Sequence, residues 1–201
     1  MPIKVEVSAA DKGVLDRMLQ GIKNGVPRVM TAAINKTLKT TQTQAVKAIG
    51  LELNLTAKRI KQDFTQYKAT WAKTQGTLTA EGNPVGLIQY GASRIKAGVS
   101  VKVKKTGARS IVAGAFIGRR GTKEHLYRRG YHTGVKKAVV PSRKYAALPE
   151  EYRLPVERLT GPRIEDIYGK KAVYGAIVLL SAAKFAENMG KEAAAVLRRF
   201  G

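Results

Sequence analysis

Glu124-His125, with His132 seven residues further on, is the nearest this chain comes to a metal pair or to a general base with its orienting carboxylate. The surroundings argue against both. A zinc site needs three or four converging ligands, and the neighbours here are Lys123, Arg128 and Arg129, whose charge repels a divalent cation. His125 and His132 therefore read as exposed loop histidines in a basic segment. The four Asp of the chain (Asp11, Asp16, Asp63, Asp166) include no Asp-x-Asp pair of the kind two-metal nucleases use. Glu165-Asp166 suits the first turn of a helix, where the dipole favours negative charge. Gly118-Arg119-Arg120-Gly121 lacks the spacing of a phosphate cradle, and no Lys-Ser/Thr follows it. No Ser sits in a nucleophile elbow. With no Cys there is no thiolate, disulfide or Cys-ligated metal. No catalytic residue, metal site or cofactor is assigned, and the chain reads as a non-enzyme.

The stronger chemistry is electrostatic. The 201 residues hold 37 Lys+Arg against 14 Asp+Glu, a net charge of +23. Residues 67–150 alone carry 17 basic and 3 acidic groups. The concentration is highest from Arg94 to Arg143, where Arg94, Lys96, Lys102, Lys104, Lys105, Arg109, Arg119, Arg120, Lys123, Arg128, Arg129, Lys136, Lys137 and Arg143 face one acid, Glu124. These 14 are the candidate partner or DNA contacts. Many Gly, with Tyr127 and Tyr131 interleaved, make the segment a cationic loop or hairpin arm rather than a packed helix. Such an arm would hold phosphates without reading sequence, and its grip would fall steeply with salt. Alternatively it would pair with acids on a neighbouring subunit. No helix-turn-helix, RNA-recognition strand or zinc finger accompanies it.

Behind these residues stand the elements that must position them. Hydrophobic residues make up 44% of the chain and charged ones 25%, as in a folded globular protein. Ile3, Val5 and Val7 alternate with charged residues, which predicts a short strand. Val14, Leu15, Met18, Leu19 and Ile22 recur at helical spacing, and Asn24-Gly25 favours a left-handed helix cap after them. Pro27 then suits a first helical turn. Val29, Met30, Ala33, Ile34, Leu38, Ala45, Val46 and Ile49 trace the apolar stripe of a long helix over 26–50, with Lys36, Lys39, Thr40, Gln42 and Lys47 off it.

Thr56 is placed to cap a shorter helix through Ala57, Ile60 and Phe64. Strands are expected within 67–81 and at 85–90, 99–103, 111–117 and 154–159. The run Ser100 to Lys104 alternates, giving one apolar and one cationic face. Trp71, Phe64 and Tyr67 are expected in the core rather than free for base stacking. A terminal helix over 172–200 would bury Val178, Ala182, Phe185, Met189, Ala193, Val196 and Phe200, with Gly175 and Gly190 weakening its continuity. The class is α+β: a mostly antiparallel sheet with long N-terminal and C-terminal helices packed on one face. The opening MPIKVEVSAADKG lacks the apolar core of a signal peptide, and the apolar stretch 172–183 is too short for a bilayer span. A soluble protein of a cell or particle, with no membrane partner, is expected.

Two stretches carry a resemblance. Ala32-Ala33-Ile34-Asn35-Lys36-Thr37, continuing through Ala45-Val46-Lys47-Ala48-Ile49 to Leu55-Thr56-Ala57-Lys58-Arg59-Ile60, is one. Leu154-Pro155-Val156-Glu157-Arg158-Leu159-Thr160-Gly161-Pro162-Arg163-Ile164 is the other. Together they resemble the phage minor tail protein Z family, the tail-completion proteins of lambda-like and related tailed phages. The first is similar to that family's long helix opening on an Asn-Lys/Arg-Thr signature. The second is similar to the strand and Gly-Pro turn before its C-terminal helix.

The resemblance implies one tail-completion-like domain over 1–201, with 94–143 as its basic arm. It implies a virion protein of the tail or neck, assembled in the host cytoplasm, that works as a ring of copies, commonly a hexamer, and helps join tail to head. Its partners would be tail terminator, tail tube or head-connector proteins, with double-stranded DNA passing through the lumen. The charge alone also fits a free-standing, sequence-nonspecific nucleic-acid-binding protein of nucleoid or ribosome.

Overall fold

The computed structural model describes residues 2–129 and 156–200. The chain forms two compact units, one of Met1–Asn83 with Pro162–Gly201 and the other Pro84–Gly161. Helices belong almost entirely to the first unit and short antiparallel strands make up the second, so the class is α+β.

The first unit opens with β1 (Pro2–Glu6), whose Ile3 and Val5 are buried as the alternation predicts. Helix α1 (Ala9–Met18) is capped by Ser8, whose side chain accepts from the Asp11 amide at 3.1 Å. Leu15 and Leu19 face inward, but Val14 and Met18 are exposed. The left-handed Asn24, at φ 58°, does not close this helix. It is the N-cap of the next one, α2 (Gly25–Glu52). All eight residues of the predicted α2 stripe are buried. Thr37, Thr41 and Gln42 are buried too, because α2 packs against both the sheet and a second long helix. Gln42, expected off the stripe, accepts a hydrogen bond from Gln66 at 2.8 Å.

Thr56 caps α3 (Ala57–Gln62) by accepting from the Arg59 amide at 3.3 Å. Phe64 lies beyond α3, in β2 (Phe64–Tyr67), and β3 (Gln75–Ala80) runs between β1 and β2. Gly76 of β3 sits against α2: a Cβ there would lie 2.6 Å from both Ile34 and Leu38 side-chain carbons, so glycine sets the distance between helix and sheet. Residues 162–200 complete the unit with α4 (Ile164–Tyr168) and α5 (Lys171–Phe200). Glu165 and Asp166 occupy the first turn of α4, and Asp166 accepts from the Arg163 amide at 3.3 Å. Tyr168 is fully buried, edge-on to Phe64 and Tyr174, and burial pushes its phenol pKa up.

Helix α5 runs unbroken through Gly175 and Gly190, and its predicted inward face is realised in part: Ala193 and Val196 are buried and Phe185 and Met189 half-buried, but Ala182 is exposed. Ile177 and Ser181 are buried as well, while Val178 and Phe200 are exposed. Over 172–183 the helix is apolar nearly all round, so hydrophobicity alone does not choose a face there, whereas from Lys184 onward charged residues mark the outer side. Polar pairs mark the inward side: Thr41 donates to Ser181 at 3.1 Å, and Asn188 donates to Thr37 at 3.0 Å. Leu15, Leu19, Val29, Met30, Ala193 and Val196 close the core at one end.

In the second unit, 85–90 is not a strand. It contains a 3₁₀ turn, Leu87–Tyr90, ended by a left-handed Gly91. Strands β4 (Ser93–Ile95), β5 (Gly98–Val101) and β6 (Ser110–Ala113) form one sheet in that order. Strand β5 stops at Val101, with Ser100 and Val101 both buried, so the alternation read over 100–104 is not realised as a two-faced strand. The run 111–117 breaks at Gly114 (φ 68°), where the chain leaves β6 and enters a second sheet. That sheet is β7 (Ala115–Arg120), β8 (Lys123–Arg129) and β9 (Val156–Arg158). Gly161 follows β9 beneath the Tyr90 ring, where a Cβ would come within 2.8 Å, and its amide donates to Val85 at 2.7 Å.

Candidate partner and nucleic-acid interface

The described part of the basic segment is built from β4 to β8 and their turns. Arg94 and Lys96, both exposed, stand at the β4–β5 hairpin, on the rim of a groove of ≈ 470 Å³ whose opposite wall includes Phe116 and Ile117 of β7. The Arg94 guanidinium donates to the Ile117 carbonyl at 3.2 Å. Lys102 is half-buried just after β5, and Lys104 and Lys105 are exposed beyond it.

Arg109 behaves differently from the other cations. Its Nε donates to Ser100 Oγ at 2.8 Å, and its terminal nitrogen donates to the carbonyls of Gly91 at 2.7 Å and Ser100 at 2.9 Å and to Ser93 Oγ at 3.1 Å. These bonds hold the turn after the 3₁₀ segment against β4 and β5. Arg109 is thus part of the scaffold, although its type and neighbourhood mark it as a contact residue.

The β7–β8–β9 ladder sorts the remaining charges. Arg119 lies opposite Glu124, with 3.5 Å between the charged atoms, and Arg128 lies opposite Glu157. The two acids of the described second unit are therefore each matched to an arginine across the strands. Arg120 is opposite Lys123, a like-charge pair of positions, and Arg129 is opposite Val156. Lys136, Lys137 and Arg143 lie outside the described residues, as does His132. His125 is in β8 rather than a loop, edge-on to the Tyr127 ring. Among the described residues no three His, Asp or Glu side chains come together as a metal site. No helix there is long and apolar enough to cross a membrane.

The first unit holds a feature the sequence reading missed. Phe64 is buried, but Tyr67 and Trp71, expected beside it in the core, are 62% and 54% exposed. The loop carrying Trp71 is nonetheless tied down. Asn35 of α2 donates to the Ala69 carbonyl at 3.1 Å and accepts from the Ala69 amide at 2.9 Å, pairing with that residue as a strand would. Thr70 and Lys73 then close a tight turn through two further bonds, of 2.9 and 3.1 Å. The Asn35-Lys36-Thr37 signature is a junction: Asn35 fixes this loop, Lys36 pairs with Glu192, and Thr37 accepts from Asn188. The Thr-Trp-Ala-Lys context, polar and turn-like rather than an apolar run, was the available signal.

The chain is thus an α+β protein with a tied helical body and a unit of cationic strands. The sequence profile of the prophage minor tail protein Z family matches residues 12–201, and the chain belongs to that family, a structural family of the phage tail. Comparison with curated proteins and with solved structures returned no match.

Proposed function

We propose that the protein is a tail-completion or neck subunit that forms a ring at the head-proximal end of the tail, helps join tail to head, and lets double-stranded DNA pass through its lumen. Its two units act as one non-catalytic domain, in a ring of copies such as a hexamer. Its neighbours are tail terminator, tail tube or head-connector proteins, met in the host cytoplasm during assembly. The observation carrying this reading is the charge of the second unit. Its described residues hold 12 basic and 2 acidic side chains, and both acids lie opposite arginines. Arg94, Lys96, Lys104, Lys105 and Lys123 are exposed and hold no ion pair among the described residues. A closed ring repeats such a surface around one axis, which concentrates positive potential where a polyanion passes.

The test is to tag the chain in its prophage, purify particles, and locate the tag by immunogold electron microscopy. Label at the head-proximal end of tails is the expected result. Label elsewhere on the tail contradicts the placement. Recovery of the tag with chromosomal or ribosomal fractions instead would favour the free-standing nucleic-acid-binding reading.

A further inference from the structure

From the fixed loop at Trp71 we infer a docking point for another virion protein: an apolar pocket rimmed by carboxylates that receives the Trp71 indole. The inference rests on the tail-protein reading and adds the kind of partner surface involved.

Trp71 is the sole tryptophan of the chain and stands more than half exposed on the helical unit. An exposed indole on a slack loop would lose conformational freedom on binding. Here the loop is already ordered by Asn35, whose amide satisfies both backbone groups of the buried Ala69, and by the Thr70–Lys73 turn. A large, rigid aromatic group held out in this way is the type of side chain that dominates protein interfaces. Its surroundings set the partner's charge. Lys68 and Lys73 flank it in sequence, both exposed, and no acidic residue occurs between Asp63 and Glu81; Glu6, which the β1–β3 ladder brings opposite Gln75, accepts a hydrogen bond from that side chain at 3.4 Å. A carboxylate rim is complementary to that pair. A DNA duplex is a poorer match, because its bases are stacked on one another and offer no free face to an indole, unlike those of a single strand.

The experiment uses the full-length chain and tails purified from a lysogen lacking its gene. Binding of wild type, Trp71→Ala, Trp71→Phe and a Lys68→Glu/Lys73→Glu double variant is measured by co-sedimentation after nuclease treatment. Thermal melting of each variant is recorded in parallel. Loss of an interface tryptophan should weaken binding by ~30-fold or more. Phe should restore part of it, the charge-reversed pair should weaken binding most at low salt, and melting should be unchanged. Asn35→Ala adds a positioning readout: the Trp71 fluorescence anisotropy of the free chain should fall as the loop loosens.

Wild-type binding by Trp71→Ala overturns the inference while leaving the tail reading intact. A melting temperature that falls with binding also overturns it, since Trp71 would then serve the fold. So does binding that disappears on nuclease treatment, which would make the partner a nucleic acid. A wild-type chain that ignores tails overturns both readings.

Discussion

The helical unit and the strand unit carry similar numbers of basic side chains, 20 and 17, but hold 10 and 4 acidic ones. In the helical unit some of the cations are drawn into ion pairs. Lys36 pairs with Glu192, Lys170 with Glu52, Arg59 with Asp63, and Lys184 and Lys191 with Glu187. In the strand unit the described acids are matched across the β7–β8–β9 ladder, and the surplus is displayed. The difference lies in the acids: the helical unit has ten to share among its cations and the strand unit four. Apart from the largely buried Arg59–Asp63, these pairs have exposed lysines and add little stability individually, so the body of the helical unit depends on its apolar core and buried polar pairs.

The sharpest way to break this contrast is to cut the core of the helical unit. Leu38 is fully buried, and Leu38→Ala should cost about 2–5 kcal/mol by lost transfer energy and cavity formation. Chemical denaturation reads that cost directly, and a change below about 1 kcal/mol would show that α2 is not the keystone. Next in size is Arg109→Ala, which strips several hydrogen bonds from the strand unit and should cost about 1–3 kcal/mol. Arg109→Lys should not restore it, because an ammonium cannot reproduce the fork of donors. Amide exchange at β4 and β5 would report the loss, and unchanged protection there would return Arg109 to the displayed class.

Third, replacing Lys96, Lys104 and Lys105 with Ala should shift stability by less than about 0.5 kcal/mol per site. The same variant should reduce the slope of log K against log salt for duplex DNA. A large stability loss with no change in slope would erase the distinction between the units. Smallest is a pH effect on α5. Hydrogen bonds from Lys184 and Lys191 hold the Glu187 carboxyl down, to about 2. A lowered carboxylate pKa contributes stability that is present above the ordinary value and is lost as pH falls through the lowered one. Carbon-detected NMR titration of Glu187 should therefore show ionisation persisting well below pH 4.5 and moving toward the ordinary value in high salt.

Elements with a single apolar face were legible in the sequence. The stripe of α2, the Ile3/Val5 alternation and the Thr56 cap all appear where the residues place them, because local pattern and tertiary burial agree there. Faces chosen by partners were not. Helix α5 is apolar on every side over 172–183, so its inward face there depends on Ser181 meeting Thr41, while further on Ala193 and Val196 are buried where the pattern places them. Val85 to Tyr90 has strand composition but turns into a 3₁₀ segment at Leu87–Tyr90, with the buried Tyr90 ring over Gly161.

At the candidate site, the cation excess was plain from composition. Its division between the structural Arg109, the ladder-matched Arg119 and Arg128, and the displayed lysines required the strand register. Trp71 was misplaced because hydrophobicity argued for burial, whereas the Asn35 anchor holding it outside lies 34 residues from the loop residue it pins.

The decisive experiment is complementation of a prophage lacking this gene with a Lys96/Lys104/Lys105/Lys123→Ala variant. The variant should keep the wild-type melting temperature while infectious particles fall by an order of magnitude or more. Wild-type particle yield from that folded variant would contradict the claim that the strand unit's displayed charge is what the tail uses.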